Sequence, residues 1–125
     1  MVNIRLLQKS DDEQMLKLMH EFWMDYRRGR MIPDRLDRFE ELIHPEETMV
    51  TELKQYHKWL SFVAEEDQKV VGFIVGKIND KSHKVLNKQG YIEEFFVTEG
   101  KRGKGIGTML FNKIVEEFKK HNCNH

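Results

Sequence analysis

The sequence predicts an α+β fold, a mostly antiparallel sheet flanked by helices, and three observations predict it. Apolar residues recur at helical spacing through the first half of the chain. From Ser61 the period changes to a strand, a short polar turn and a β-branched strand, which is the pattern of an antiparallel hairpin. Near the end, an apolar strand runs into a glycine-rich loop and an amphipathic helix. The 125 residues suit one domain spanning 1–125, and no repeat, low-complexity stretch or linker divides them.

In chain order, Asn3-Ile4-Arg5-Leu6-Leu7 alternates and reads as a short strand. Ser10 with Glu13 three residues later forms a capping-box pattern, so a helix is expected to start there. Met15, Leu18, Met19, Phe22, Trp23 and Tyr26 make one apolar face before Arg27-Arg28-Gly29-Arg30 breaks the period. Pro33 followed by Leu36, Phe39, Leu42 and Ile43 suggests a second helix, stopped by His44-Pro45 because a residue before proline avoids helical angles. Pro45 can open a third, running through Met49, Leu53, Tyr56 and Leu60, with Glu46 and Glu47 favourably placed in its first turn.

Phe62 to Glu65 and Lys69 to Val75 are the two hairpin strands, joined by Glu66-Asp67-Gln68, and Phe73 to Val75 are expected at the sheet centre. Asn79 to Gln89 is polar and reads as a surface loop. Gly90 to Thr98 is a further strand. Gly107 to His121 is a helix with Ile106, Leu110, Ile114 and Phe118 on one face, and Phe111 and Val115 beside them.

Composition narrows the function. Lys and Arg total 21 against 21 Asp and Glu, so no global field would hold nucleic acid or an anionic membrane. No apolar run approaches the roughly 20 residues that span a bilayer, and the N-terminal residues lack the pattern of a secretory signal. The single Cys123 forms no internal disulfide, which agrees with a reducing compartment; a cytoplasmic protein is the expectation. The histidines have no close ligand spacing, and no metal is expected.

The chemistry concentrates in Glu99-Gly100-Lys101-Arg102-Gly103-Lys104-Gly105-Ile106-Gly107. Glycines remove side chains where a backbone must approach a ligand closely, and the helix that follows presents unpaired N–H groups and a positive dipole end. Lys101, Arg102 and Lys104 add the local charge that a diphosphate site needs. A P-loop is excluded because Ile106 and Gly107 stand where Lys and Ser or Thr belong. A dinucleotide fingerprint is poor, since Thr108 replaces its last glycine.

The pattern Arg102-x-x-Gly105-x-Gly107, directly after an apolar strand and opening a helix, resembles the pyrophosphate-binding motif of the GNAT acetyltransferases, and Tyr91-Ile92-Glu93-Glu94-Phe95-Phe96-Val97 looks like that family's fourth strand. The resemblance implies a three-layer α/β/α arrangement and acetyl-CoA as co-substrate. It implies that backbone amides of Arg102, Gly103, Lys104, Gly105, Ile106, Gly107 and Thr108 bind the diphosphate. It further implies that backbone groups of Phe95, Phe96 and Val97 hold the pantetheine arm, with the Val97 N–H polarising the thioester. The reaction implied is direct acetyl transfer to a primary amine, with Glu93 or Glu94 as base. On a regular strand these two point to opposite faces, and Glu93 is favoured because acidic residues at the matching position serve in similar polyamine acetyltransferases.

The chain stops at His125, after the helix that follows the glycine loop, whereas the family continues into a fifth strand and a further helix. The sequence therefore reads as a GNAT-like domain incomplete at its C-terminus. Two outcomes are expected: a truncated relative that binds coenzyme weakly and catalyses poorly, or a homodimer in which a second copy supplies the missing wall. The alternative function is a non-catalytic acetyl-CoA-binding or interaction module.

Overall fold

Residues with β-branched or aromatic side chains between Leu60 and Val75 face two apolar surroundings in turn, and this alternation sets the sheet. The computed structural model describes residues 1–25, 45–80 and 88–123. Its elements are β1 (Val2–Leu6), a 3-10 turn (Lys9–Asp11), α1 (Asp12–Asp25), α2 (Pro45–Tyr56), β2 (Leu60–Glu66), β3 (Lys69–Asp80), β4 (Lys88–Val97) and α3 (Ile106–Lys120). The four strands lie in the order β1-β2-β3-β4, every neighbouring pair antiparallel.

Two clusters sandwich the sheet into three layers. On one face Met15, Leu18 and Met19 of α1 and Met49, Leu53 and Tyr56 of α2 pack on Val63, Val70, Phe73, Val75 and Phe96. On the other, Ile106, Leu110 and Ile114 of α3 pack on Phe62, Ala64, Val71 and Ile74. The fold is α+β with the layering expected from the sequence. Phe73, Ile74 and Val75 are at most 2% exposed, the sheet centre as expected. Burial of each such side chain is worth about 1.5–3 kcal/mol.

The α3 layer sits close because three strand positions lack side chains. A Cβ at Gly76 would lie 2.7 Å from Ile114 Cδ1, and one at Gly90 would lie 2.6 Å from the Phe118 ring. Gly72 is the third, where a Cβ would meet the Phe96 carbonyl oxygen at 3.0 Å. These glycines form a shallow trough that receives the apolar ridge of α3.

Several local expectations change. The helix start rests on Asp11, not on a Ser10–Glu13 box. Asp11 accepts two hydrogen bonds from the Arg5 guanidinium, both 2.8 Å, and a third from the Gln8 N–H at 2.8 Å. Its carboxyl is held below the usual range by that guanidinium first and by the Gln8 bond in support. α2 ends at Tyr56, and Leu60 belongs to β2, because pairing of Leu60 with Gly76 captures it for the sheet. The hairpin turn is the two residues Asp67 and Gln68, with φ of 52° and 66°, as a type I′ turn requires. Glu66 is therefore the last residue of β2.

The segment from Asn79 to Gln89 is also shorter as a loop than expected. Asn79 pairs with Gln89 and Asp80 with Lys88, so the β3–β4 ladder carries polar residues at its far end. The expected helix with Leu36, Phe39, Leu42 and Ile43, the Arg27–Arg30 break, Tyr26, the side chain of Trp23 and the middle of the 79–89 segment lie outside the described residues.

Candidate functional site

Strand β4 is an edge of the described sheet, so one side of its backbone has no strand partner there. The Thr98 N–H donates to the Val71 carbonyl at 2.9 Å. Alternation along an antiparallel ladder then turns the polar groups of Phe96 and Glu94 toward β3 and those of Phe95 and Val97 outward. Consistently, the outward Val97 carbonyl accepts a hydrogen bond from Arg102 Nε at 2.7 Å. The same strand carries a bulge. Val75 pairs with Glu94 but Gly76 pairs with Ile92, so Glu93 is an extra residue without a partner in β3.

That bulge revises the simple alternation expected for the two glutamates. Glu94 shares the face of Val75, beneath α2, and is partly buried, while Glu93 is exposed. Burial, with further contributions from Glu52 and Glu93, raises the Glu94 carboxyl to about 7. Glu52 of α2 is also raised by burial, opposed by the hydrogen bond it accepts from Tyr56. Tyr56 is 4% exposed, and burial first, then the charges of Glu94 and Glu52, drive its hydroxyl far above the ordinary phenol value. The arrangement can hold a proton at neutral pH on one carboxyl and present negative charge to a cation.

Glu52 escaped the sequence reading. It lies four residues before Tyr56 on α2, so the two share a helix face, but only the fold brings Glu94 to them. The signal available in the sequence was a carboxylate flanking the apolar stripe of Met49, Leu53 and Tyr56.

Beyond Val97 the loop turns sharply. Thr98 to Lys101 is a β-turn, closed by the Lys101 N–H on the Thr98 carbonyl at 3.2 Å. Gly100, with φ of 90°, supplies the positive angle at its third position. Gly103 and Gly105 also have positive φ, 80° and 83°, and a Cβ at any of these three glycines would meet no atom within 4 Å. Space is open above the loop. Gly105 caps α3 with no side chain to bond the first N–H groups of the helix. Those of Ile106, Gly107 and Thr108 lack intrahelical acceptors by helix geometry, which makes an anion-binding concavity. This geometry fits a diphosphate group.

Two of the three loop cations have other duties. Lys101 pairs with Glu66 at the end of β2, and Arg102 lies over the Phe96 ring, 5.1 Å from its centroid, while bonding Val97. These contacts reinforce loop shape while leaving the positive charge at the loop; Lys104 is exposed. Cys123 is partly buried, and burial raises its thiol. Among the described residues, no three His, Cys, Asp or Glu side chains converge as a metal set. No described helix is long and apolar enough to cross a membrane.

The model of the acetyltransferase (GNAT) family matches residues 15–125, which include the whole strand, loop and helix just described. The chain belongs to the GNAT family. Among GNAT relatives, an uncharacterised N-acetyltransferase of Methanocaldococcus jannaschii is 40% identical over 72 residues, 52% of this chain and 32% of that protein. One of Archaeoglobus fulgidus is 38% identical over 76 residues, 55% of this chain and 52% of that protein. The matched stretches thus span about a third and about half of these curated relatives. A predicted acetyltransferase of Clostridium acetobutylicum, solved with acetyl-CoA, shares the GNAT fold at a TM-score of 0.74 and 18% identity, covering 99% of this chain and 77% of that one.

Proposed function

We propose that this protein is an N-acetyltransferase that moves the acetyl group of acetyl-CoA directly to a primary amine. The observation that carries the proposal is the continuity of an outward-facing strand edge at Phe95 and Val97, a glycine loop with open space above it, and the uncapped N-terminus of α3. An extended amide-bearing arm fits the first, and a diphosphate fits the other two. The solved Clostridium acetobutylicum relative, which carries acetyl-CoA, supports the choice of co-substrate.

The roles follow from position. Backbone N–H groups from Arg102 to Thr108 bind the diphosphate, and the outward groups of Phe95 hold the pantetheine arm beside Val97, whose carbonyl is taken by Arg102, with Phe96 packing the strand into the core. The Val97 N–H faces the same edge and polarises the thioester oxygen as it gains charge. Glu94, rather than the initially favoured Glu93, serves as base: with its carboxyl at about 7 it is partly ionised near neutrality, where a base is most effective. It removes a proton from the ammonium form of the acceptor. The freed nitrogen lone pair attacks the thioester carbon, the C–N bond forms, and the C–S bond breaks with its electron pair leaving on sulfur. The second N–H proton lost from nitrogen goes to that thiolate, giving the amide and the free thiol. Glu52 and Glu93 supply negative charge that favours a cationic acceptor.

Release of free thiol from acetyl-CoA, followed with a chromogenic reagent across a panel of primary amines, tests this reading. At least one amine should drive release above hydrolysis, and Glu94→Gln should lower that rate by about 10²–10⁴-fold, the usual worth of a general base. No amine-dependent release from wild type, or full activity in Glu94→Gln, would overturn the transfer reading or the assignment of the base respectively.

A further inference from the structure

Glycine-rich loops bind phosphate well only when their conformation is already in place, because ordering them on binding consumes affinity. The loop here contains three glycines with positive φ and no apolar side chain between Glu99 and Gly105 to seat it in the core. Its shape must come from polar anchors. Two were described above: Lys101 on Glu66, and Arg102 on Val97 and Phe96. A third reaches across from the opposite layer. Glu21 of α1 accepts a hydrogen bond from the Thr98 hydroxyl at 2.7 Å through Oε1 and one from the Glu99 N–H at 3.0 Å through Oε2.

This contact is chemically unexpected. A carboxylate beside an anion-binding loop opposes the ligand electrostatically, so a bystander there would be better replaced by a neutral group. Glu21 instead has both oxygens engaged at the first two residues of the loop, where the chain leaves β4 and enters the Thr98–Lys101 turn. The helix that carries it is firmly seated. Met15, Leu18 and Met19 are at most 5% exposed, and Phe22, the next residue after Glu21, meets Phe96 edge-on at 5.5 Å.

We propose that Glu21 is a positioning residue for coenzyme binding: it fixes the Thr98–Lys101 turn from α1 and so presets the loop that receives the diphosphate. The proposal rests on the acetyl-CoA reading above, but its first consequence is independent of it. Glu21 acts through the backbone of Glu99 and the hydroxyl of Thr98, not by touching the ligand. Glutamine at position 21 can keep both contacts, with its amide oxygen on the Glu99 N–H and its NH₂ donating to the Thr98 oxygen. Alanine can keep neither.

The experiment compares wild type, Glu21→Ala, Glu21→Gln, Thr98→Val and the double variant Glu21→Ala/Thr98→Val. Amide hydrogen exchange across residues 98–105, without ligand, should rise in Glu21→Ala and return toward wild type in Glu21→Gln. In calorimetric titration with acetyl-CoA, Glu21→Ala should raise Kd about tenfold, the scale of losing one or two charge-assisted hydrogen bonds. Glu21→Gln should bind as wild type or slightly tighter. The double variant should be no weaker than Glu21→Ala alone, since both changes remove the same contact. Unchanged loop exchange in Glu21→Ala, or an unchanged Kd for it where wild type binds, overturns the proposal. Loss of affinity in Glu21→Gln equal to that in Glu21→Ala also overturns it, by making charge rather than hydrogen bonding the cause. If exchange behaves as expected while wild type binds no acetyl-CoA, the positioning role stands and the coenzyme reading fails.

Discussion

Glu94 is under two demands at the residue scale, and they leave opposite marks on stability and chemistry. Its carboxyl is raised from 4.5 to about 7, chiefly by burial. Between those values the native state binds more protons than the unfolded chain, so the group's contribution to stability is complete below about 4.5 and is lost as pH rises through about 7. The Glu94→Gln protein should therefore have a higher unfolding midpoint than wild type at pH 8 and a similar one at pH 4.5, as thermal scans at the two pH values would show. Parallel midpoints at both would mean that the carboxyl is not perturbed. Sequence alone could place two adjacent glutamates on the right strand but not choose between them. Ile92-Glu93-Glu94-Phe95 has the same residue types whether or not a bulge intervenes, and the partner that helps lift the carboxyl, Glu52, is remote in the chain.

At the scale of elements, period was most legible where one face was apolar and one was not. The stripe of α1, the hairpin strands and the face of α3 were read close to their observed positions because buried residues recur there at 3.6 or 2. Boundaries failed where a residue satisfied both patterns. Leu60 keeps helical spacing from Tyr56 yet pairs with Gly76, and Asn79, Asp80, Lys88 and Gln89 are polar residues that the ladder nevertheless includes. The trough under α3 was invisible, since a glycine in a strand does not announce which side chain comes to lie over it. That trough gives a direct prediction. Gly76→Val would push into Ile114 and Phe118, where even a Cβ lies within 2.9 Å of three of their atoms. Overpacking should cost about 1–3 kcal/mol in urea unfolding. A wild-type midpoint would show that α3 does not depend on this close approach.

For the whole molecule, the three layers divide the work. α3 and the loop before it form the end proposed to bind the diphosphate, β4 offers its outward backbone, and α2 and β4 supply the carboxyl cluster while Glu21 ties α1 back to the loop. The coenzyme motif was the most legible part of the site because it is contiguous, from Tyr91 to Thr108. The carboxyl cluster was not, because Glu52, Tyr56 and Glu94 meet only when α2 packs on the sheet face that Val75 and Glu94 share. The partners of the loop cations were not legible for a related reason: Glu66 and Val97 are brought to Lys101 and Arg102 by tertiary packing.

Calorimetric titration of this chain with acetyl-CoA, alongside Gly105→Glu, tests the central claim most directly. Glu at position 105 would carry a side chain where φ is 83°, and would set negative charge at the start of α3. Saturable 1:1 binding to wild type, abolished in a folded Gly105→Glu protein, is the predicted result. Absence of binding to wild type, or equal binding by both proteins, would contradict the assignment of this loop as the coenzyme site.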